Sequence, residues 1–153
     1  MIAHKISALL LLFSMNLLAC DDFLEFSPMA GVDVKSRTEG SNLIYLVSTN
    51  EKQTSNRVKF DTVKKLHMES SDFNFDGYSD LAAWHIDDGM GNFSVFRVFI
   101  FSPTTTNFTE YFPACGDQFL NLKREQLSKK IISTYFEDNI PALCETHIPA
   151  SPN

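Results

Sequence analysis

The sequence predicts a mainly β, antiparallel, single-domain fold. The chain of 153 residues contains 14 Phe but only 6 Gly and one Trp, and such aromatic enrichment is typical of strands. Hydrophobic residues make up 44% and charged residues 21%, so the chain has enough apolar surface for a packed core. Residues 93–101 are apolar at both odd and even positions, as expected for a central strand that is covered on both faces.

The N-terminal segment, residues 1–19, has the composition of a secretory signal peptide rather than of a folded element. Lys5 provides the positive charge, and an apolar stretch too short for a typical membrane span follows it. The stretch ends in Leu17-Leu18-Ala19-Cys20, which resembles a bacterial lipobox and predicts lipidation of Cys20. The alternative is an ordinary signal peptide followed by a chance cysteine.

A lipidated Cys20 predicts a periplasmic protein that is anchored to a membrane through its N-terminus, because several acyl chains together bind a bilayer durably. Asp21 follows the cysteine and resembles a signal for retention in the inner membrane, although an outer-membrane location is also possible. The net charge is −6, and removal of residues 1–19 would take away Lys5 but no acidic residue. This acidity disfavours nucleic acid as a partner.

The two remaining cysteines, Cys115 and Cys144, are predicted to form a disulfide, since the compartment is oxidising and their number is even. The alternative is that one of them is a catalytic nucleophile. No plausible base lies near either cysteine in the sequence, which favours the disulfide.

The mature chain is predicted to consist of a lipidated tether, residues 20–42, and a β domain, residues 43–153. The tether prediction rests on Ser, Gly, Pro and scattered charges with little periodicity. About five or six strands are expected within the domain. They are predicted at residues 43–47, within 58–68, and at 81–86, 93–101, 108–112 and 130–136, with polar turns at 50–56 and 87–92, a short helix at 118–127 and an irregular Pro-containing tail.

An acidic loop, residues 72–80, precedes the predicted strand at 81–86 and has the pattern D-x-N-x-D-G-x-x-D. This spacing wraps hard oxygen ligands around one point, as Ca²⁺ prefers, and Gly77 permits the sharp turn. The predicted ligands are the side chains of Asp72, Asn74, Asp76 and Asp80 and the backbone carbonyl of Tyr78.

The acidic loop differs from an EF-hand, because Ala83 stands where the bidentate Glu is expected and a strand follows instead of a helix. A turn that is polar only because it is solvated is the alternative. Mg²⁺ fits less well, since it requires a tight octahedron. The metal is predicted to be structural, and the chain is not expected to be an enzyme.

The acidic loop followed by a strand resembles the FG-GAP-type loops of integrin β-propellers. A longer run resembles periplasmic immunity lipoproteins, which protect bacteria from lysozyme-like effectors of killing type IV secretion systems. The resemblance covers roughly residues 58–135. The matching run is Asp72-x-Asn74-Phe75-Asp76-Gly77-Tyr78-x-Asp80-Leu81, then Gly89-x-Gly91-Asn92, then Phe96-x-Val98-Phe99-x-Phe101-x-Pro103-x-Thr105 and Phe108.

The resemblance implies a propeller-like β fold with a structural Ca²⁺ site, with a curled sheet as the other arrangement. It also implies that the partner is a peptidoglycan hydrolase whose active site is blocked. The alternative function is that of a structural or envelope-assembly lipoprotein, which uses the same scaffold for another envelope protein.

Three other groups of residues have the residue types of functional sites. Asp87 and Asp88 form a carboxylate pair, but a pair in a Gly-containing turn is more often solvated than catalytic. Arg97 lies in an aromatic strand, where it can stack on a ring or reach a carboxylate. The histidines are predicted to be scattered rather than to form a metal site; they are His67, His85 and His147.

Overall fold

The computed structural model describes residues 22–150, and in this range the chain forms strands, turns and loops without a helix. Within these residues, eleven strands form two antiparallel sheets. In chain order they are β1 (Phe23–Met29), β2 (Val32–Glu39), β3 (Asn42–Ser48), β4 (Gln53–Lys59), β5 (His67–Ser71), β6 (Asp80–Ile86), β7 (Ser94–Ser102), β8 (Asn107–Tyr111), β9 (Phe119–Glu125), β10 (Lys130–Glu137) and β11 (Ile140–Thr146).

The first sheet is a four-stranded meander in the order β1-β2-β3-β4. In β2, buried and more exposed positions alternate strictly, because one face packs against the core and the other faces solvent. Two of its buried positions are occupied by hydroxyl residues, Ser36 and Thr38. Ser36 Oγ donates to the Leu24 carbonyl at 3.0 Å, and Thr38 Oγ1 accepts from the backbone N–H of Asp22 at 3.2 Å.

The second sheet has seven strands and curls around β7. One edge of β7 pairs with β6 along most of its length. Its other edge is divided, because the N-terminal part pairs with β9 and the C-terminal part pairs with β8. The sheet continues outward through β10 to β11 on one side and through β5 on the other.

The core has two parts, which lie on opposite faces of β6 and β7. Leu81, Ala83, Phe99 and Phe101 belong to the part that includes residues of the four-stranded sheet. The alternate residues face the second part, formed within the seven-stranded sheet; its buried members are Phe73, Ala82, Phe96, Val98, Ile100, Phe119, Ile131 and Ile148. The predictions of a mainly β fold with a curled sheet and of a central strand buried on both faces are therefore confirmed.

The tether prediction is wrong for the described part of residues 20–42, because β1, β2 and the start of β3 occupy it. The β2 sequence places Ser and Thr where the core face usually carries aliphatic residues. Their hydroxyl groups form hydrogen bonds with the backbone of the neighbouring chain segment, and these bonds allow the two side chains to be buried. Cys20 and residues 1–19 lie outside the described residues.

The predicted helix at residues 118–127 is also wrong, because this segment contains β9. Its Leu, Lys, Arg and Glu residues favour a helix locally, but pairing with β7 and β10 overrides that preference. The predicted turn at 50–56 is too long, since β4 begins at Gln53. The predicted irregular tail contains β11, an edge strand, where Pro141 is tolerated. Residues 22–150 contain eleven strands, and nine of them, β3–β11, correspond to the predicted β domain, where five or six are expected.

Candidate functional site

The acidic loop connects β5 to β6 and therefore lies at one end of the seven-stranded sheet. Gly77 has φ 95°, in the left-handed region that glycine adopts without strain, as its position in the motif predicts. Phe75 also has a positive φ, 61°, which is uncommon for a bulky residue. The loop therefore has a tightly turned backbone that brings its polar side chains inward.

The side chains of the acidic loop hold its backbone in this turn. The carboxylate of Asp72 accepts hydrogen bonds from the backbone N–H groups of Asp76 at 3.1 Å and Gly77 at 2.9 Å. Asp76 Oδ1 accepts from the backbone N–H of Tyr78 at 3.0 Å, and its Oδ2 accepts from Asn74 Nδ2 at 2.7 Å. Asp72, Asn74 and Asp76 are thus brought together by the loop.

Asp80 is the most buried of the predicted ligands, with none of its surface accessible to solvent. Its Oδ2 accepts from the backbone N–H of Phe73 at 2.7 Å, and its Oδ1 accepts from that of Phe101 at 2.8 Å. Burial raises the pKa of Asp80 to about 7, and the charges of Asp76 and Asp72 act in the same direction, whereas the two N–H donors lower it. Asp80 therefore lies in a site where a nearby cation would favour its charged form.

The donor chemistry of the acidic loop fits Ca²⁺, because it offers three carboxylates and one amide oxygen. Asp80 takes part in none of the ion pairs formed by residues 22–150. The same residues contain no set of three or more His, Cys, Asp or Glu side chains positioned to hold a metal ion. The Tyr78 ring packs against Phe101 at a centroid distance of 6.1 Å, so its side chain belongs to the core. Calcium binding stays a prediction.

Arg124 contacts the acidic loop and the end of β5, a contact that the predicted helix at residues 118–127 does not indicate. Its guanidinium lies 5.5 Å from the ring centre of Phe75 and 5.9 Å from that of Phe73, and it donates to Ser71 Oγ. The C-terminal segment also reaches the loop, since Asn74 Nδ2 lies 3.4 Å from the Pro149 carbonyl. The loop is therefore supported by β9 and by the end of the described chain.

The disulfide between Cys115 and Cys144 is present, which confirms the predicted pairing. It joins the β8–β9 connection, residues 112–118, to the edge strand β11, with 5.8 Å between the two Cα atoms. A cystine has no free thiol, so neither residue can act as a nucleophile in this form. Its position indicates a structural role, because it fixes a long connection to the sheet.

Asp87 bonds within the turn that contains the Asp87 and Asp88 pair, whereas Asp88 bonds to the connection between β4 and β5. Asp87 accepts from the backbone N–H groups of Phe93 at 2.8 Å and Gly91 at 3.2 Å, and these bonds lower the pKa of its carboxyl. Asp88 accepts from the backbone N–H of Val63 at 3.2 Å, and a bond from the Thr62 hydroxyl lowers its pKa. Both carboxylates thus hold loop backbone.

His67 and His85 have separate partners in the structure. His67 stacks on Trp84 with 4.4 Å between ring centres and approaches Asp22 at 3.3 Å. His85 is buried and its Nδ1 lies 2.9 Å from the Ile86 carbonyl. Arg97 does both things that its sequence context allows, because it pairs with Glu110 and its guanidinium also lies 4.7 Å from the ring centre of Phe60.

Comparison with protein-family models, with curated proteins and with solved structures found no match. None of residues 22–150 belongs to a helix long and apolar enough to cross a membrane.

Proposed function

We propose that this chain is a membrane-anchored periplasmic binding protein that inhibits a lysozyme-like peptidoglycan hydrolase. The observation that carries the proposal is the run from Asp72 to Phe108, which resembles periplasmic immunity lipoproteins. In the structure this run is one continuous unit, made of the acidic loop and the antiparallel strands β6, β7 and β8. In this proposal the chain blocks the active site of the enzyme and catalyses no reaction itself.

Calcium has a structural part in this proposal. When bound, Ca²⁺ would relieve the repulsion among the loop carboxylates and offset the burial of Asp80. The residues proposed to hold it are Asp72, Asn74, Asp76, Asp80 and the backbone carbonyl of Tyr78. Asp80 accepts hydrogen bonds from Phe73 in the loop and Phe101 in β7, so it links the loop to the central strand. A change in the conformation of the loop would therefore affect the packing of the sheet.

The charge of the chain supports the choice of partner. A net charge of −6 favours encounter with a basic protein, because opposite potentials raise the association rate at low salt. The proposed anchor, lipidated Cys20, would keep the domain at the membrane surface, in the compartment where peptidoglycan hydrolases reach the cell wall.

Affinity capture tests the proposed partner. The full chain is immobilised, and periplasmic and secreted proteins are passed over it with Ca²⁺ and then with chelator. We expect Ca²⁺-dependent retention of a peptidoglycan hydrolase, and inhibition of that enzyme in a cell-wall turbidity assay. Asp76→Ala should lose both effects, whereas Glu51→Ala, which removes one acidic charge from the exposed β3–β4 turn, should keep them. Retention of envelope-assembly proteins alone, or of nothing, would contradict the proposal.

The anchor has its own test. Cells that express the full chain are labelled with a palmitate analogue, and the protein is then isolated. The wild type should carry the label and remain with the membranes, and Cys20→Ala should lose the label. Labelling of Cys20→Ala at the wild-type level would contradict lipidation at this position.

A further inference from the structure

A cleft of about 270 Å³ lies between the end of β4 and the seven-stranded sheet, and none of its lining residues belongs to the acidic loop. Its floor is formed by β6 and β7, with His85 and Arg97 among the lining residues. One wall is the segment that follows β4, including Asp61. The opposite wall is the β8–β9 connection, which contributes Phe112 and Asp117. Neither the predicted disulfide nor the predicted calcium site accounts for this combination of groups.

The floor of the cleft contains an ion pair in fixed geometry. Arg97 Nε and Nη2 donate to the two carboxylate oxygens of Glu110, each at 2.6 Å, and Arg97 Nη1 donates to the Lys59 carbonyl at 2.8 Å. A guanidinium has five N–H donors and a carboxylate has about four lone-pair sites, so the pair retains capacity for further hydrogen bonds. The cleft therefore presents donors and acceptors side by side without needing to reorganise them.

His85 adds an acceptor to this floor. Its Nδ1 lies 2.9 Å from the Ile86 carbonyl, which can only accept, so Nδ1 carries the proton. In the neutral ring Nε2 is then an acceptor. The ring is also held by Phe60, which packs against it edge to face at 6.3 Å.

The second wall of the cleft is fixed covalently. Cys115 within the β8–β9 connection is bonded to Cys144 in β11, and the neighbouring Ala114 N–H donates to Thr146 Oγ1 at 3.0 Å. These two links hold the connection that carries Phe112 and Asp117. A wall that is ordered in advance lowers the entropic cost of binding a ligand.

The charge of the lining selects the class of ligand. Three carboxylates, on Asp61, Glu110 and Asp117, stand against two cations, on Lys59 and Arg97, which disfavours an anion. The carboxylate on the floor, Glu110, is already paired with Arg97, so the floor offers a cationic ligand no unpaired negative charge. Hydroxyl groups suit this lining because each one can donate to a carboxylate and accept from a guanidinium.

The aromatic residue at the rim and the size of the cleft indicate which hydroxyl-bearing ligand fits. Phe112 is 62% exposed and offers a flat apolar face, whose negative potential attracts the slightly positive C–H groups of a sugar ring. Sites for drug-sized ligands have volumes of roughly 300–1,000 Å³, so a cleft of about 270 Å³ suits a single ring.

We propose that the cleft bounded by Arg97, Glu110 and the disulfide-held β8–β9 connection binds a neutral sugar ring. The inference goes beyond the proposed inhibition of a hydrolase, since it needs no protein partner. It gives the disulfide a part in ligand binding, because the disulfide fixes one wall of the site.

The test is a titration of the full chain with N-acetylglucosamine, followed by ligand-observed NMR. Inorganic phosphate and arginine are titrated in parallel as anionic and cationic probes. We expect saturable binding of N-acetylglucosamine with a dissociation constant on the order of 1 mM, and weaker binding of the other two probes. Absence of saturable binding of N-acetylglucosamine, or tighter binding of phosphate or arginine, would overturn the inference.

Two variants locate the site. Phe112→Ala and Asp117→Ala change exposed side chains, so both proteins should fold, and each should weaken N-acetylglucosamine binding about tenfold by removing a stacking face or a hydroxyl acceptor. Phe23→Ala is the matched control, because Phe23 is also exposed but lies in the four-stranded sheet. Wild-type affinity in both cleft variants, or an equal loss in Phe23→Ala, would show that the sugar binds elsewhere.

Discussion

The two sheets differ in regularity. In the four-stranded sheet, β2 pairs with β3 and β3 with β4 over seven consecutive residue pairs each, and the strands follow one another through short turns. Each sheet has a register shift, between Phe26 and Met29 in the β1–β2 pair and between Ile132 and Thr134 in the β9–β10 pair. What distinguishes the seven-stranded sheet is that one edge of β7 pairs with two strands, β8 and β9. The acidic loop and the β8–β9 connection both belong to this second sheet.

This difference relates the candidate sites to topology. The short turns of the four-stranded meander leave little room for polar groups, whereas the longer connections β5–β6 and β8–β9 of the seven-stranded sheet can hold them. Asp80 and Arg97 illustrate the point, since both lie on strands of the seven-stranded sheet and both bond to chain segments outside their own strand. The four-stranded sheet supplies one face of the core, and the curled sheet contains Asp80, Arg97 and the disulfide.

The largest effect is expected from truncating the central strand of the curled sheet. Phe101 is fully buried and packs against Tyr78 and Phe108, with 6.1 and 5.4 Å between ring centres. Phe101→Ala should lower the free energy of unfolding by about 3–5 kcal/mol, measured by urea denaturation, because it leaves a cavity between the sheets. Val34→Ala provides a comparison in the four-stranded sheet and should cost less, since it removes fewer buried atoms. A loss below about 1.5 kcal/mol for Phe101→Ala would contradict this packing.

The disulfide should contribute nearly as much stability. It closes a sequence separation of 29 residues, which corresponds to about 3–4 kcal/mol in the chain-entropy model. The double variant Cys115→Ser/Cys144→Ser should unfold at lower urea concentration than the oxidised wild type. Dithiothreitol should lower the wild-type midpoint and leave that of the double variant unchanged. Free thiols at both positions in the oxidised protein would refute the bridge.

A smaller effect is expected in the four-stranded sheet, where Ser36 is buried. Ser36→Ala removes the hydrogen bond to the Leu24 carbonyl and should cost about 0.5–1.5 kcal/mol of unfolding free energy. Ser55→Ala, on the exposed side of β4, is the control and should change stability by less than about 0.5 kcal/mol. Equal effects of the two substitutions would mean that the Ser36 hydroxyl does not support this sheet.

The smallest effect concerns an ion pair that joins the two sheets. Asp22 precedes β1 and lies 2.8 Å from Lys65 Nζ, just before β5, and the Lys65 bond lowers the pKa of Asp22. A carboxyl with a lowered folded-state pKa stabilises the fold above its unfolded value of 3.8, and this stability is lost as the pH falls through the folded-state pKa. Both side chains are partly exposed, so Asp22→Asn should cost less than about 1 kcal/mol at pH 7. The difference between Asp22→Asn and wild type should shrink at acidic pH in urea denaturation; a difference that grows there would contradict this assignment.

The sequence predicts the curled sheet better than the four-stranded one, and particular residues explain why. In β7, Phe and Val residues occupy both faces of the strand, and this pattern predicts a buried strand. In β2, Ser36 and Thr38 occupy core positions, and only the fold reveals that the backbone near Leu24 and Asp22 satisfies their hydroxyls. Local sequence patterns do not predict hydrogen bonds between residues that are distant in the chain.

The candidate sites also differ in how well the sequence predicts them. The acidic loop could be predicted because its residues are contiguous, and the disulfide could be predicted because the remaining cysteine number was even. The cleft could not be predicted, since it combines Lys59, Arg97 and Asp117, which are distant in the chain and meet through strand pairing. Arg124 was missed for a related reason, because its segment favours a helix locally.

A calcium titration tests the central claim, that the acidic loop binds Ca²⁺ and stabilises the curled sheet. Ca²⁺ is added to the chelator-treated full chain while backbone NMR signals and the melting temperature are followed. We expect chemical-shift changes centred on residues 72–80 and at Phe101, and a rise in melting temperature, because a ligand that binds only the folded state stabilises it. Asp76→Ala should abolish the rise, and Glu51→Ala should retain it. No shift at millimolar Ca²⁺, or an unchanged rise in Asp76→Ala, would contradict the claim.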